Sequence, residues 1–239
     1  MSLPVVLLHG ALGSRADLAP LEELFRPFGP VFAPNLLGHG GRPVPSQLSM
    51  ETWSADVLAQ LDASGVSRAV FCGYSLGGYL ALYLARHHSE RVAGVMTLAT
   101  KFVYDPHTGR THALLADPRR LASGSPDLAA HFARVHAPQD WTAVAQLNRG
   151  LFRTLTEAPP LAEPDLSAIH CPALVVSGMQ DQIVSEQETR QLARQLPRAR
   201  LLLFAGPAHP LGVVPLAQLE PHIAPWLSEA AAPPVGSTV

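Results

Sequence analysis

The sequence predicts an α/β protein built on a mostly parallel sheet of about six strands flanked by helices. Three features lead there. Five short apolar runs bounded by turn residues, with a weaker sixth, have the unalternating character of strands buried on both faces. The stretches between them carry apolar residues at helical spacing, so strand and helix alternate along the chain. One long interval, Lys101 to Ala168, has helical spacing and no convincing strand, which marks a helical insertion.

In chain order, strands are expected at Val5 to Leu8, Val31 to Ala33 (the weak one), Ala69 to Cys72, Val92 to Leu98, Ala173 to Ser177 and Arg200 to Phe204. Leu18, Leu21, Leu24 and Phe25 share one helical face, as do Trp53, Val57 and Leu61. After Ser75, a helix carrying Leu76, Leu80 and Leu84 runs to about His87. Within the insertion, Ser125-Pro126 reads as an N-cap with proline at the first helical position. Asp140 caps a second helix bearing Val144, Leu147, Leu151 and Leu155, which Pro159-Pro160 stop. Glu186 to Leu196 and Leu216 to Leu227 close the C-terminal half, and the small residues and prolines from Ala230 onward are expected to fray.

Composition narrows the function classes. At 239 residues the chain suits one large domain with an insertion, and 47% apolar against 15% charged residues argues against disorder. The formal charge of −2, with no basic run, argues against a nucleic-acid partner. No apolar stretch approaches the ~20 residues of a membrane helix, and the Met1 end lacks a basic segment followed by an apolar core, so a cytoplasmic protein without a membrane partner is expected. Cys72 and Cys171 form no metal or redox spacing and read as buried apolar thiols.

The chemistry concentrates in Gly73-Tyr74-Ser75-Leu76-Gly77-Gly78, placed between an apolar strand and a helix. A serine on so sharp a turn is presented above the sheet, and glycines two residues either side let neighbouring backbone come close. A hydroxyl is a weak nucleophile near neutral pH and needs a base, which in turn needs an orienting acid. Asp181 follows the strand Ala173 to Ser177, and His209 follows the strand Arg200 to Phe204. All three therefore sit beyond strand carboxyl ends, where open α/β sheets build their sites, in the order Ser, Asp, His. The loop His9-Gly10-Ala11-Leu12-Gly13 follows the first strand, so the backbone N–H groups of Ala11 and Leu76 are the expected oxyanion donors, with His9 a buried structural histidine.

These residues resemble the α/β-hydrolase superfamily, in its lid-bearing branch of small bacterial serine esterases. The resemblance covers the chain to about Leu227 and rests on His9-Gly10, Asn35-Leu36-Leu37-Gly38-His39-Gly40, the Ser75 turn, Asp181 and His209. It implies the α/β-hydrolase fold, with residues 1–100 and 169–230 as core, 101–168 as a helical cap inserted after the strand Val92 to Leu98, and 231–239 as a flexible tail. Three departures stand out: Asn35 where the family usually has Asp, no pair of antiparallel strands ahead of Val5, and Pro210 directly after the base. Ser75 separates the chain from haloalkane dehalogenases and epoxide hydrolases, which carry Asp there. Serine carboxylesterases, carbon–carbon bond hydrolases, perhydrolases and the menaquinone-pathway lyase share Ser, Asp and His.

The expected reaction is hydrolysis of an ester with a small to medium apolar acyl group, needing no cofactor and no metal, by a monomer or homodimer. Tyr74, Phe102, Trp141 and Phe152 are candidate pocket residues. Lys101, the only lysine, is either a holder of an anionic substrate group or a solvated charge at the start of the cap. Two rival readings remain: a carbon–carbon hydrolase or lyase on a polyanionic substrate, requiring inward cap arginines among Arg110, Arg119, Arg120, Arg134, Arg149 and Arg153, and a ligand-sensing regulatory protein.

Overall fold

The computed structural model describes residues 2–232. Its framework is six strands, β1 (Val5–Leu8), β2 (Val31–Phe32), β3 (Ala69–Tyr74), β4 (Val92–Leu98), β5 (Ala173–Gly178) and β6 (Ala199–Phe204). They form one sheet in the order β2-β1-β3-β4-β5-β6, and every pairing is parallel. All six expected strands are present within one or two residues of their predicted ends.

Side chains on a strand alternate between faces, and this sheet buries both. Val6, Leu8, Phe71, Val95 and Val175 pack on one side with α2 (Met50–Ala63), α3 (Leu76–His87) and α9 (Glu186–Gln195). Their neighbours Val5, Leu7, Val70, Cys72, Met96 and Val176 pack on the other, against α1 (Ala19–Phe25) and α10 (Leu216–Ala231). Trp53 on α2 and Trp226 on α10, both fully buried, anchor the two layers. Cys72 is in the core as expected, whereas Cys171, ahead of β5, is only partly buried. Among the described residues no helix is long and apolar enough to cross a membrane. Of the tail expected to fray, Ala231 still belongs to α10, and residues 233–239 lie outside the described part.

The interval between β4 and β5 is entirely helical, with more elements than the two read from its periodicity. It comprises α4 (Pro106–Leu115), α5 (Pro118–Gly124), α6 (Pro126–His136), α7 (Trp141–Glu157) and α8 (Glu163–Ser167). Asp140 caps α7 through the Thr142 N–H, and Val144, Leu147, Leu151 and Leu155 are buried. Ser125 does precede Pro126 at the start of α6, but its hydroxyl caps nothing, a correction to the expected N-cap bond. Of the three missed helices, α4, α5 and α8, the first two are short and announce themselves by caps rather than by an apolar stripe: Asp105 and Asp117, each followed by proline, accept the free N–H groups of the first turn.

Candidate active site

Ser75 sits between β3 and α3 with φ 52° and ψ −119°, outside the regions an L-residue ordinarily occupies. Such a backbone costs about 1 to 3 kcal/mol and persists only where its surroundings enforce it. The enforcement is visible on both sides. A Cβ on Gly77 would fall 2.2 Å from the Leu8 carbonyl oxygen, and one on Gly73 2.2 Å from that of Gly77, so both positions require glycine. The Thr100 hydroxyl donates to the Ser75 carbonyl at 3.1 Å. A serine preceding a helix commonly caps it, but the Ser75 side chain makes no capping bond, which leaves Oγ uncommitted.

Asp181 and His209 meet, although 28 residues apart. The ring Nδ1–H donates to Asp181 Oδ2 at 2.9 Å, which fixes Nε2 as the nitrogen with the free lone pair. Asp181 is oriented by three backbone donors: Ile183 and Val184 N–H on Oδ1, at 2.9 and 2.8 Å, and Ala208 N–H on Oδ2 at 2.9 Å. Burial acts to raise the Asp181 carboxyl, but the His209 ring and these backbone donors outweigh it and hold the pKa at about 2. Nε2 of His209 is buried and has no hydrogen-bond partner among the described residues. The Tyr74 ring, adjacent in sequence to Ser75, lies 5.1 Å from the His209 ring, which places the imidazole beside the serine turn. The His209–Pro210 peptide is cis.

The loop after β1 comes to the same place. A Cβ on Gly10 would lie 3.1 Å from Ser75 Cβ, so the backbone at Gly10, one residue ahead of Ala11, passes close against the serine. The N–H groups of Ala11 and Leu76 donate to no acceptor among the described residues. Leu76 is also the first residue of α3, whose N-terminal partial positive charge favours an anion. His9 is buried beneath this loop, with Nδ1–H donating to the Gly10 carbonyl and Nε2 accepting from Leu36 N–H. Burial pushes its pKa down to about 4, consistent with a neutral structural ring.

The remaining predicted residues divide. Phe102 stacks on Tyr79 with ring centres 5.6 Å apart, and Phe152 lies among Tyr104 and His112, forming an aromatic group between α3, α4 and α7. Trp141 is separate from these, half-buried against Phe132. Lys101 is neither solvated nor free: it is 6% exposed and its ammonium is paired with Glu188 of α9. The arginines of the insertion face outward. Arg110, Arg119, Arg120, Arg134 and Arg153 are exposed, and Arg149 pairs with Asp117.

Sequence reasoning missed the histidines that tie the insertion to the core. His39 receives a hydrogen bond from Asn148 of α7 at 2.9 Å and its ring packs near those of His9, His136 and Trp53. His131 and His136 on α6 both reach the loop after β1. The signal for His131 and His136 was the histidine content of the insertion, and for His39 its place in the motif Asn35 to Gly40; neither names a partner. Asn35, the departure from the family's usual Asp, accepts Arg15 N–H and donates to the Gly40 carbonyl, and the second bond needs an amide rather than a carboxylate.

A family model described as alpha/beta hydrolase fold matches residues 4–143, and the chain belongs to that family. It is 28% identical over 238 residues to a 2-hydroxymuconate semialdehyde hydrolase of Pseudomonas putida, covering 86% of this chain and 80% of the relative. It is also 28% identical over 223 residues to a pimeloyl-[acyl-carrier protein] methyl ester esterase of Neisseria meningitidis, covering 86% and 70%. Among solved structures, NosK from Streptomyces actuosus superimposes with a TM-score of 0.80 at 22% identity, over 97% of this chain and 100% of that one, a likeness of fold.

Proposed function

We propose that the protein is a serine hydrolase that cleaves a carboxylic ester of small to medium apolar acyl group through an acyl-enzyme. The observation that carries the reading is an uncapped Ser75 hydroxyl on a strained turn beside a His209 ring that is oriented by a buried carboxylate and keeps Nε2 unpartnered among the described residues. Ser75 Oγ attacks the ester carbonyl carbon while His209 Nε2 takes its proton. Charge gathers on the carbonyl oxygen, where the Ala11 and Leu76 N–H groups receive it. Collapse of the tetrahedral intermediate expels the alcohol, which leaves with the proton from His209. A water then gives its proton to His209 and attacks the acyl carbon, and the acid departs as Ser75 regains its hydrogen. Asp181 keeps its charge throughout and stabilises the imidazolium.

The segment 101–168 acts in this reading as a cap, and Phe102, Tyr104 and Phe152 supply an apolar wall for the acyl group. The outward arginines favour the ester over the polyanionic substrate of a carbon–carbon hydrolase or lyase. A series of p-nitrophenyl esters should be cleaved best at short and medium acyl lengths. Ser75→Ala should lose at least ~10³-fold in turnover with the fold retained; full activity in that variant overturns the proposal.

A further inference from the structure

Leu12 adopts φ 57°, the left-handed region that a bulky non-glycine residue avoids. It directly follows Ala11, one of the two proposed oxyanion donors, so the conformation of Leu12 sets where the Ala11–Leu12 turn points. Something outside the loop must hold it there. The group that reaches its carbonyl is His136, at the end of α6 in the cap: Nε2–H donates to Leu12 O at 2.9 Å. The other ring nitrogen, Nδ1, accepts the Gly40 N–H at 3.0 Å. One donor and one acceptor define a single neutral tautomer, and the ring is fully buried, so neither bond has a solvent substitute. A second histidine of the same helix, His131, bonds Asp17 at 2.9 Å, and Asp17 in turn accepts from the Ser14 backbone and hydroxyl. Helix α6 therefore holds the segment after β1 at two points, Leu12 and Asp17.

We propose that His136 is a positioning residue for the oxyanion hole: by donating to the Leu12 carbonyl, a side chain of the cap fixes the turn that aims the Ala11 N–H at the reacting carbonyl oxygen. This rests on the serine-hydrolase reading above. It makes the cap part of the catalytic apparatus as well as a wall of the pocket, because loss of the His136 bond leaves the triad intact and degrades the stabilisation of charge.

The two bonds of His136 can be separated. A glutamine amide nitrogen reaches about as far as Nε2 and restores the donor to Leu12; an asparagine reaches about as far as Nδ1 and restores only a partner for Gly40. The test is the second-order rate of labelling by a fluorophosphonate, with kcat and KM for p-nitrophenyl butyrate, in wild type, His136→Gln, His136→Asn and His136→Phe, each checked for native circular dichroism. Gln is expected within about threefold of wild type, and Asn and Phe at least tenfold slower, with the loss in kcat and not in KM. Should Phe not fold, the Gln and Asn pair decides. Equal rates in all variants, or an equal loss in Gln and Asn, overturn the assignment. Failure of the wild type itself to react with the fluorophosphonate overturns instead the hydrolase reading on which it rests.

Discussion

At the scale of single residues, backbone geometry and polar orientation matter more than side-chain size. Gly77 has no room for a methyl group, since the atoms it would strike are the Leu8 and His9 carbonyl oxygens, at 2.2 and 2.6 Å. Gly77→Ala must therefore displace β1 or α3, and thermal unfolding should show a loss of at least about 3 kcal/mol or no soluble protein; a melting temperature equal to that of wild type contradicts this. Asp181 makes a different kind of contribution. Asp181→Asn keeps the volume but offers an amide that favours the wrong ring tautomer of His209, and turnover should fall by ~10⁴ with little change in KM. That Ser75, Asp181 and His209 follow the carboxyl ends of β3, β5 and β6 could be read from sequence, because the turn and the strand order place them there. The state of Lys101 could not be read, because its partner Glu188 lies 87 positions away on another helix.

At the scale of elements, strands and core helices were legible and the insertion was only half so. Buried strands such as β3 and β4 are continuous apolar runs, and α3 follows from Leu76, Leu80 and Leu84, so local pattern and final burial coincide. Helix α4 buries only Gly109 and His112 in a mostly polar sequence, and its place is set by packing on α7, where a Cβ on Gly109 would lie 1.8 Å from the Thr156 hydroxyl. That information is tertiary and leaves no period in the chain. The Lys101–Glu188 pair joins the start of the insertion to α9. Burial acts to raise the Glu188 carboxyl, yet the Lys101 ammonium and the Ser185 groups lower it overall. Glu188→Gln strands a buried ammonium beside a neutral amide and should cost about 2 kcal/mol in urea unfolding, less than the ~3 to 5 kcal/mol of a fully buried pair because a third of the Glu188 side chain stays in water. The double variant Lys101→Met/Glu188→Leu should recover most of that loss; an unchanged unfolding midpoint in Glu188→Gln contradicts the account.

At the scale of the whole molecule, the junction between insertion and core is built from buried neutral imidazoles, and that gives stability a pH dependence with a definite sign. Burial lowers the pKa of His9 from 6.5 to about 4, and lowers those of His39, His112 and His136 as well. As pH falls below 6.5 the unfolded chain takes up protons at these positions more readily than the folded protein, which at His9 resists down to about pH 4, so stability falls with pH. His9 alone accounts for on the order of 3 kcal/mol. The depressed Asp181 carboxyl acts lower, between its ordinary value of 3.8 and about 2, and does not offset the loss. Urea unfolding free energies at pH 7 and pH 4.5 should differ by several kcal/mol in favour of pH 7, and His9→Asn should flatten the difference; equal stabilities at the two pH values contradict the buried-imidazole description.

The measurement that bears most directly on the central claim is peptide mapping by mass spectrometry after reaction with a fluorophosphonate. The account predicts one adduct, on the Ser75 hydroxyl, absent in Ser75→Ala and strongly slowed in His209→Gln. An adduct on another residue, or ester hydrolysis that survives complete modification of Ser75, would contradict it.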